Sequence, residues 1–310
     1  MSCVFMISVY FSPFSTSISS SPDTQETAIS TSSILLVPYE ASHVPTYHEW
    51  MKDEQIQAET ASEPLTLEEE YAMQRSWRTD ADKLTFIACL PLSLPPTSSS
   101  STSKSPAPAP GPLTPGQFDT STRIIGDVNL FLTPSTSTSS SPSPSPSPSQ
   151  SQSQSPSPHL VTGELELMIA PTTHRRKGHG RSTILAFLSY ITTHLPSILS
   201  EYGRGQVPPI PEGSVKLEGL RVKIGEGNEK SLRLFRSLGF AGLGGKEGEG
   251  REEPNYFGEL ELWFQGGQEG EWSEASREIL GVEKMRMLRE RFGVEGYQEL
   301  AYGVESADSV

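Results

Sequence analysis

The chain has 310 residues, with 24 Lys and Arg against 38 Asp and Glu and a formal net charge of −14. That balance argues against a generic nucleic-acid binder, whose surface is ordinarily basic. Two cysteines, Cys3 and Cys89, are too few for a disulfide framework, and no run of about 18 apolar residues marks a membrane span.

Residues 1–33 read as a disordered tail, Ser/Thr-rich behind an apolar start from Met1 to Phe14. No Lys or Arg precedes Lys52, so the positive n-region of a secretory signal is missing. With the sparse cysteines, this places the protein in the cytoplasm, the nucleus remaining open. Ile34–Val37 predicts a short strand and Val44–Ile56 a helix. Thr66 starts another helix, since Thr-Leu-Glu-Glu has capping-box spacing and lets Glu69 reach back to the Thr66 N–H. Lys83–Leu90 and Arg123–Leu132 have strand composition. Residues 95–122, between those strands, are mostly Ser, Thr, Pro and Ala, and residues 134–158 contain nothing but Pro, Ser, Thr and Gln. Such tracts have too little apolar surface to offset their conformational entropy, so both are expected to be disordered insertions in loops.

Glu164–Ala170 predicts the next strand. A loop follows, then a helix whose apolar positions Ile184, Phe187, Leu188, Ile191 and Leu195 form one stripe. After a Pro/Gly loop over 203–214, Leu217–Ile224 predicts a strand. Asn228 is a helix N-cap, Leu232, Phe235 and Leu238 share a face, and Gly239 stops the helix. Tyr256–Phe264 predicts the last strand. The pattern is one mixed α/β domain over 34–265, interrupted by the insertions, with an acidic C-terminal extension over 266–310. From Ala241 onward there are 7 basic and 16 acidic residues, −9 of the −14. Within the extension, Trp272–Phe292 has the spacing of an amphipathic helix.

The segment richest in chemistry is Arg175-Arg176-Lys177-Gly178-His179-Gly180-Arg181, four cations between a strand and a helix. Its glycines permit a tight turn, and the helix start offers unpaired N–H groups with the positive end of the dipole. Neither Walker nor dinucleotide-binding spacing fits. Alone, the loop reads equally as a phosphate cradle or a solvated basic turn.

The Arg175-x-x-Gly178-x-Gly180 spacing resembles the acyl-CoA pyrophosphate loop of the GNAT acetyltransferase superfamily, and Asn228 with Gly239-Phe240 continues the pattern. Val37-Pro-Tyr-Glu, His43-Val-Pro-x-Tyr47-His-Glu-Trp50-Met and Ile125-Gly-Asp-Val-Asn-Leu-Phe-Leu are similar to its N-acetyltransferase-nine-like branch. The resemblance implies the GNAT fold, a mixed central sheet flanked by helices. It implies direct transfer of acetyl from acetyl-CoA, as co-substrate, to a protein amine in a ternary complex, an N-terminal α-amine before lysine. It also implies that the backbone of Met168, Ile169 and Ala170 pairs with the pantetheine arm. The N–H groups of Arg176, Lys177, Gly178, His179 and Gly180 hold the pyrophosphate, Arg175 and Arg181 add charge, and Asn228 touches the pantetheine side or simply caps its helix. Tubulin is a partner by family resemblance only; no nucleic acid, membrane or metal is expected, and the oligomeric state is open.

The acceptor must lose a proton before attack, so a carboxylate lifted by desolvation suits the task. Glu166 is the first candidate, with Glu164 on the same strand face and Asp127 on the neighbouring strand; each has the alternative of an ordinary solvated or paired carboxylate. Where the superfamily often has a Tyr acid, this chain has Phe235. That departure keeps two alternatives in view, a catalytically weak CoA-binding module acting through its insertions or tail, and a small-molecule amine acetyltransferase.

Overall fold

The structure, a computed structural model, describes residues 26–92, 111–135, 158–242, 253–264 and 281–303. Strands are β1 (Thr27–Ser30), β2 (Leu35–Pro38), β3 (Lys83–Cys89), β4 (Ile124–Pro134), β5 (His159–Ile169), β6 (Val215–Gly225), β7 (Phe240–Ala241), β8 (Glu259–Phe264) and β9 (Gln298–Ala301). They form one mixed sheet in the order β7-β8-β6-β5-β4-β3-β2-β1-β9. Helices are α1 (Val44–Trp50), α2 (Glu54–Thr60), α3 (Leu67–Thr79), α4 (His179–Gly205), α5 (Glu229–Ser237) and α6 (Val282–Arg291).

Strand alternation divides the core into two layers. Ile34, Leu36, Phe86, Ala88, Val128 and Leu130 pack with α4, α5 and α6. The intervening Leu35, Val37, Ile87 and Cys89 pack with α1 and α2, and with Tyr71 and Trp77 of α3. The stripe on α4 is fully buried at Ile184, Phe187, Leu188 and Ile191, each contributing about 1.5–3 kcal/mol. By length and composition α4 could cross a membrane, but 67% of its most apolar window lies inside the fold. It also runs past Leu195 and Pro196, where the periodic reading ends.

The Thr66–Glu69 capping box is present in both directions, and Gly239 takes the left-handed φ of 94° that ends α5. Other boundaries differ. The expected helix over 44–56 is two, because Asp53 adopts an extended conformation and caps α2 through the Gln55 N–H. The last main strand begins at Glu259 because Tyr256 and Phe257 lie exposed in the preceding turn. Residue 33 is too late a limit for the tail: Thr27–Ser30 pair with both β2 and β9. The stretch 95–122 is not all filler, since its end folds under the C-terminal segment. There Leu113 bridges Tyr302, and Asp119 accepts from the Tyr302 hydroxyl at 2.7 Å and lies 2.8 Å from His43 Nε2. The extension supplies α6, whose Met285 is buried, and the edge strand β9. The remaining tail, insertion and extension expectations, over 1–25, 95–110, 136–157, 266–280 and 304–310, lie outside the described residues.

Candidate functional site

The site begins where two strands part. β5 pairs with β4 along its length, from Pro134↔Val161 to Gly126↔Ile169. Its parallel pairing with β6 runs only from His159↔Val215 to Glu164↔Arg221, after which β6 continues with β8 to Gly225. Residues 165–169 therefore keep one edge without a strand partner among the described residues. An unpaired edge inside a fold is a template for an extended ligand with amide groups. Met168, Ile169 and Ala170 stand at its end, beside the basic loop.

That loop turns through a 3-10 segment, Thr172–His174, and two left-handed residues, Arg176 at φ 63° and Gly178 at φ 89°. The first helical closure is Ser182 N–H to Gly178 O. Among the described residues, the N–H groups of Arg176 to Arg181 have no protein acceptor outside the helix ladder, as the first turn of a helix dictates. Arg176 and Lys177 are exposed and lack a carboxylate within 4.0 Å among the described residues. A Cβ at Gly180 would meet Leu167 Cδ2 at 3.3 Å and Leu234 Cδ2 at 3.4 Å, so glycine lets α4 start against β5 and α5.

The two flanking arginines both have protein partners. Arg175 turns back and donates to Ile169 O at 2.8 Å and Ala170 O at 3.1 Å, a latch on the strand end that commits its charge. Arg181 lies with its guanidinium 4.5 Å from the Phe292 ring centroid. His174 and His179 rings are 5.8 Å apart. Burial first, then the charges of His174 and Lys177, lower the His179 pKa, which disfavours a second cation there.

On the opposite layer, Asp127 and Asn129 of β4 share a face with Glu166 of β5, Asn129 and Glu166 being direct partners. Asp127 is 3% exposed, and its Oδ2 accepts from Asn129 Nδ2 at 2.8 Å and from the Tyr47 hydroxyl at 3.5 Å. Its Oδ1 is buried without a donor, and burial pushes its pKa up to about 6. Glu166 is open to solvent although protein surrounds it closely. Desolvation, then the charges of Asp127 and Glu164, push it up to about 8, an effect that solvent access tempers. Glu164 is ion-paired: Arg221 at 3.0 Å and Lys223 at 2.9 Å engage its Oε2.

Sequence reasoning missed Tyr39, Tyr47 and Glu70 in this cluster. The Tyr39 and Tyr47 rings lie 5.5 Å apart, and both phenols are pushed up by burial and then by carboxylate charge. Glu70, 1% exposed on α3, has a buried Oε2 without a donor, and burial pushes its pKa up to about 7. The signal for the two tyrosines was the Val37-Pro-Tyr-Glu and Tyr47-His-Glu-Trp50 wording of the motifs; Glu70 had none, since α3 is too polar to reveal an inward acid by periodicity. Asn228 caps α5, its Oδ1 accepting from Ser231 N–H at 3.2 Å, so its simple reading is realised. Phe235 is buried against Phe240 and offers no proton, while Tyr256 is 86% exposed on its turn.

Comparison with known proteins gives a consistent picture. Residues 33–241 match the family described as acetyltransferase (GNAT) domain. A human protein named alpha/beta-tubulin-N-acetyltransferase 9 is 39% identical over 217 residues, 70% of this chain and 76% of that protein. The N-acetyltransferase 9-like protein of Schizosaccharomyces pombe is 38% identical over 223 residues, 70% of this chain and 89% of that one. Among solved structures, spermidine N-acetyltransferase from Vibrio cholerae in complex with CoA and spermine has 15% identity and a TM-score of 0.43, over 75% of this chain and 94% of the other.

Proposed function

The chain belongs to the GNAT acetyltransferase family, and from that premise we propose that it acetylates a protein N-terminal α-amine in preference to lysine, using acetyl-CoA. One observation carries the reading: the unpaired β5 edge, the acceptor-less amides of Arg176–Gly180 and the raised carboxylate of Glu166 adjoin one another. Acetyl-CoA supplies the acyl thioester. The edge around Met168, Ile169 and Ala170 would hold its amide-bearing arm, and the loop amides with Arg176 and Lys177 its diphosphate.

The acceptor amine loses its proton to Glu166, whose pKa desolvation raises towards the range of an α-amine, ~7.7–8.0. A lysine ammonium, at about 10.4, gives up its proton less readily. Asp127 and Glu70, desolvated and each with one oxygen lacking a donor, favour arrival of the acceptor as an ammonium ion, His48 Nδ1 standing 3.9 Å from the other Glu70 oxygen. The neutral amine then attacks directly. Phe235 supplies no acid, and a thiol near pKa 8.5 is a tolerable leaving group without one. The names of the relatives point to tubulin as the protein acceptor.

Two measurements test this. Acetyl-CoA at about 100 times its Kd should stabilise the fold by about 2.7 kcal/mol; no thermal shift would refute the cofactor assignment. Release of CoA with N-terminal peptides, lysine peptides and polyamines should rank in that order. Binding without release on any amine would favour a non-catalytic module instead.

A further inference from the structure

We infer that the C-terminal segment 282–302, beyond the family-matched residues 33–241, is part of the cofactor-binding machinery, with Phe292 the positioning residue for Arg181. The inference rests on the acetyl-CoA reading of the basic loop.

Arg181 stands in the first turn of α4, directly after the acceptor-less amides. Among the described residues no carboxylate lies within 4.0 Å of it, and its Nε is buried with no acceptor. A long cationic side chain left without an anion in an acidic protein would ordinarily sweep through many rotamers or find a surface carboxylate. Here the Phe292 ring holds it, centroid to guanidinium 4.5 Å, and Arg291 approaches the same ring at 5.4 Å. The ring keeps positive charge beside the loop without neutralising it, which a carboxylate partner could not do.

Phe292 is itself fixed from two sides. α6 docks on α4 through buried Met285 and through Arg289, which donates to Ser189 Oγ. Beyond it, Val294 is buried and Glu295 exchanges two hydrogen bonds with the β1–β2 turn, Ser32 N–H to Glu295 O at 2.8 Å and Glu295 N–H to Ser32 Oγ at 3.1 Å. The C-terminal segment thus reaches the loop at Arg181 through the ring, while its bonds to Ser32 tie it to the β1–β2 turn. What it positions is a site for phosphate groups.

The test uses the full chain and compares CoA with pantetheine, which has the arm but no phosphates. Phe292→Leu keeps an apolar side chain on the core and removes the ring face. By calorimetry it should bind CoA about three- to tenfold more weakly, with pantetheine affinity unchanged. Added to Arg181→Ala, it should cost nothing further, because the ring acts through the guanidinium. Phe292→Met repeats the comparison where the leucine variant melts early, and Phe292→Tyr, which restores a ring, should bind as wild type. Equal CoA affinity in the wild type and the leucine and methionine variants would overturn the inference. So would an equal loss for CoA and pantetheine, which would make Phe292 a packing residue. Wild-type protein that binds neither compound would overturn the acetyl-CoA reading itself.

Discussion

Asp127→Asn should make the protein more stable and less active, and the gain should depend on pH in a defined direction. The carboxyl is 3% exposed, receives donors only on Oδ2, and has no cation within 4.0 Å among the described residues. Its pKa is raised from 3.8 to about 6, so the folded state holds the proton more tightly than the unfolded chain. Stability from this group is therefore fully present below pH 3.8 and is lost as pH rises through 6. Relative to low pH, where it is protonated in both states, the group lowers stability by about 1 kcal/mol at pH 4.5 and about 3 kcal/mol at pH 7.5. The amide variant is nearly isosteric, still accepts from Asn129 and Tyr47, and carries no charge. Urea denaturation at the two pH values, wild type against variant, reads the difference directly. Glu166 and Glu70 titrate in both proteins, and losing the Asp127 charge eases the ionisation of Glu166, which adds in the same direction. A variant no more stable than wild type at pH 7.5, or one whose advantage fails to shrink at pH 4.5, would refute the idea of an uncompensated buried charge.

Glu166→Gln should lower kcat by about 10²–10⁴ and abolish the rise of kcat with pH towards about 8, while CoA affinity stays unchanged; peptide turnover across pH 6–9 checks both. Gly180→Leu places side-chain atoms against Leu167 and Leu234 and should weaken CoA binding by about 1–3 kcal/mol, read by calorimetry. Tyr302→Phe leaves the buried Asp119 carboxylate short of a donor, and a loss of about 1–3 kcal/mol is expected in urea denaturation.

Much of this site was legible because it is local. A strand, a basic loop with two glycines and an amphipathic helix are contiguous, and their alternation and periodicity place the loop amides without tertiary knowledge. Glu166 and Asp127 followed from strand alternation. What could not be read depends on contacts between distant residues. Arg175 looked like a phosphate contact, yet the strand end it follows offers two carbonyls nearer to hand. Glu164 looked equivalent to Glu166 until β6 brought Arg221 and Lys223 beside it. Glu70 and Tyr47 enter the cluster only because α1 and α3 fold over β4. The C-terminal segment showed the spacing of an amphipathic helix, with Met285 on it, but the edge strand beyond, held by Val294 and Leu300, was not legible.

The pairing of β1 with β9 bears on how the protein is made. Thr27 and its partner Ala301 lie 274 residues apart, so β1 leaves the ribosome long before the strand that covers it. At about 5–20 residues per second, the β1 edge stands without that strand for on the order of tens of seconds. An open, apolar strand edge invites pairing with other chains, so the nascent chain should depend on chaperone cover until β9 arrives, and a ribosome stalled before residue 298 should hold an aggregation-prone chain.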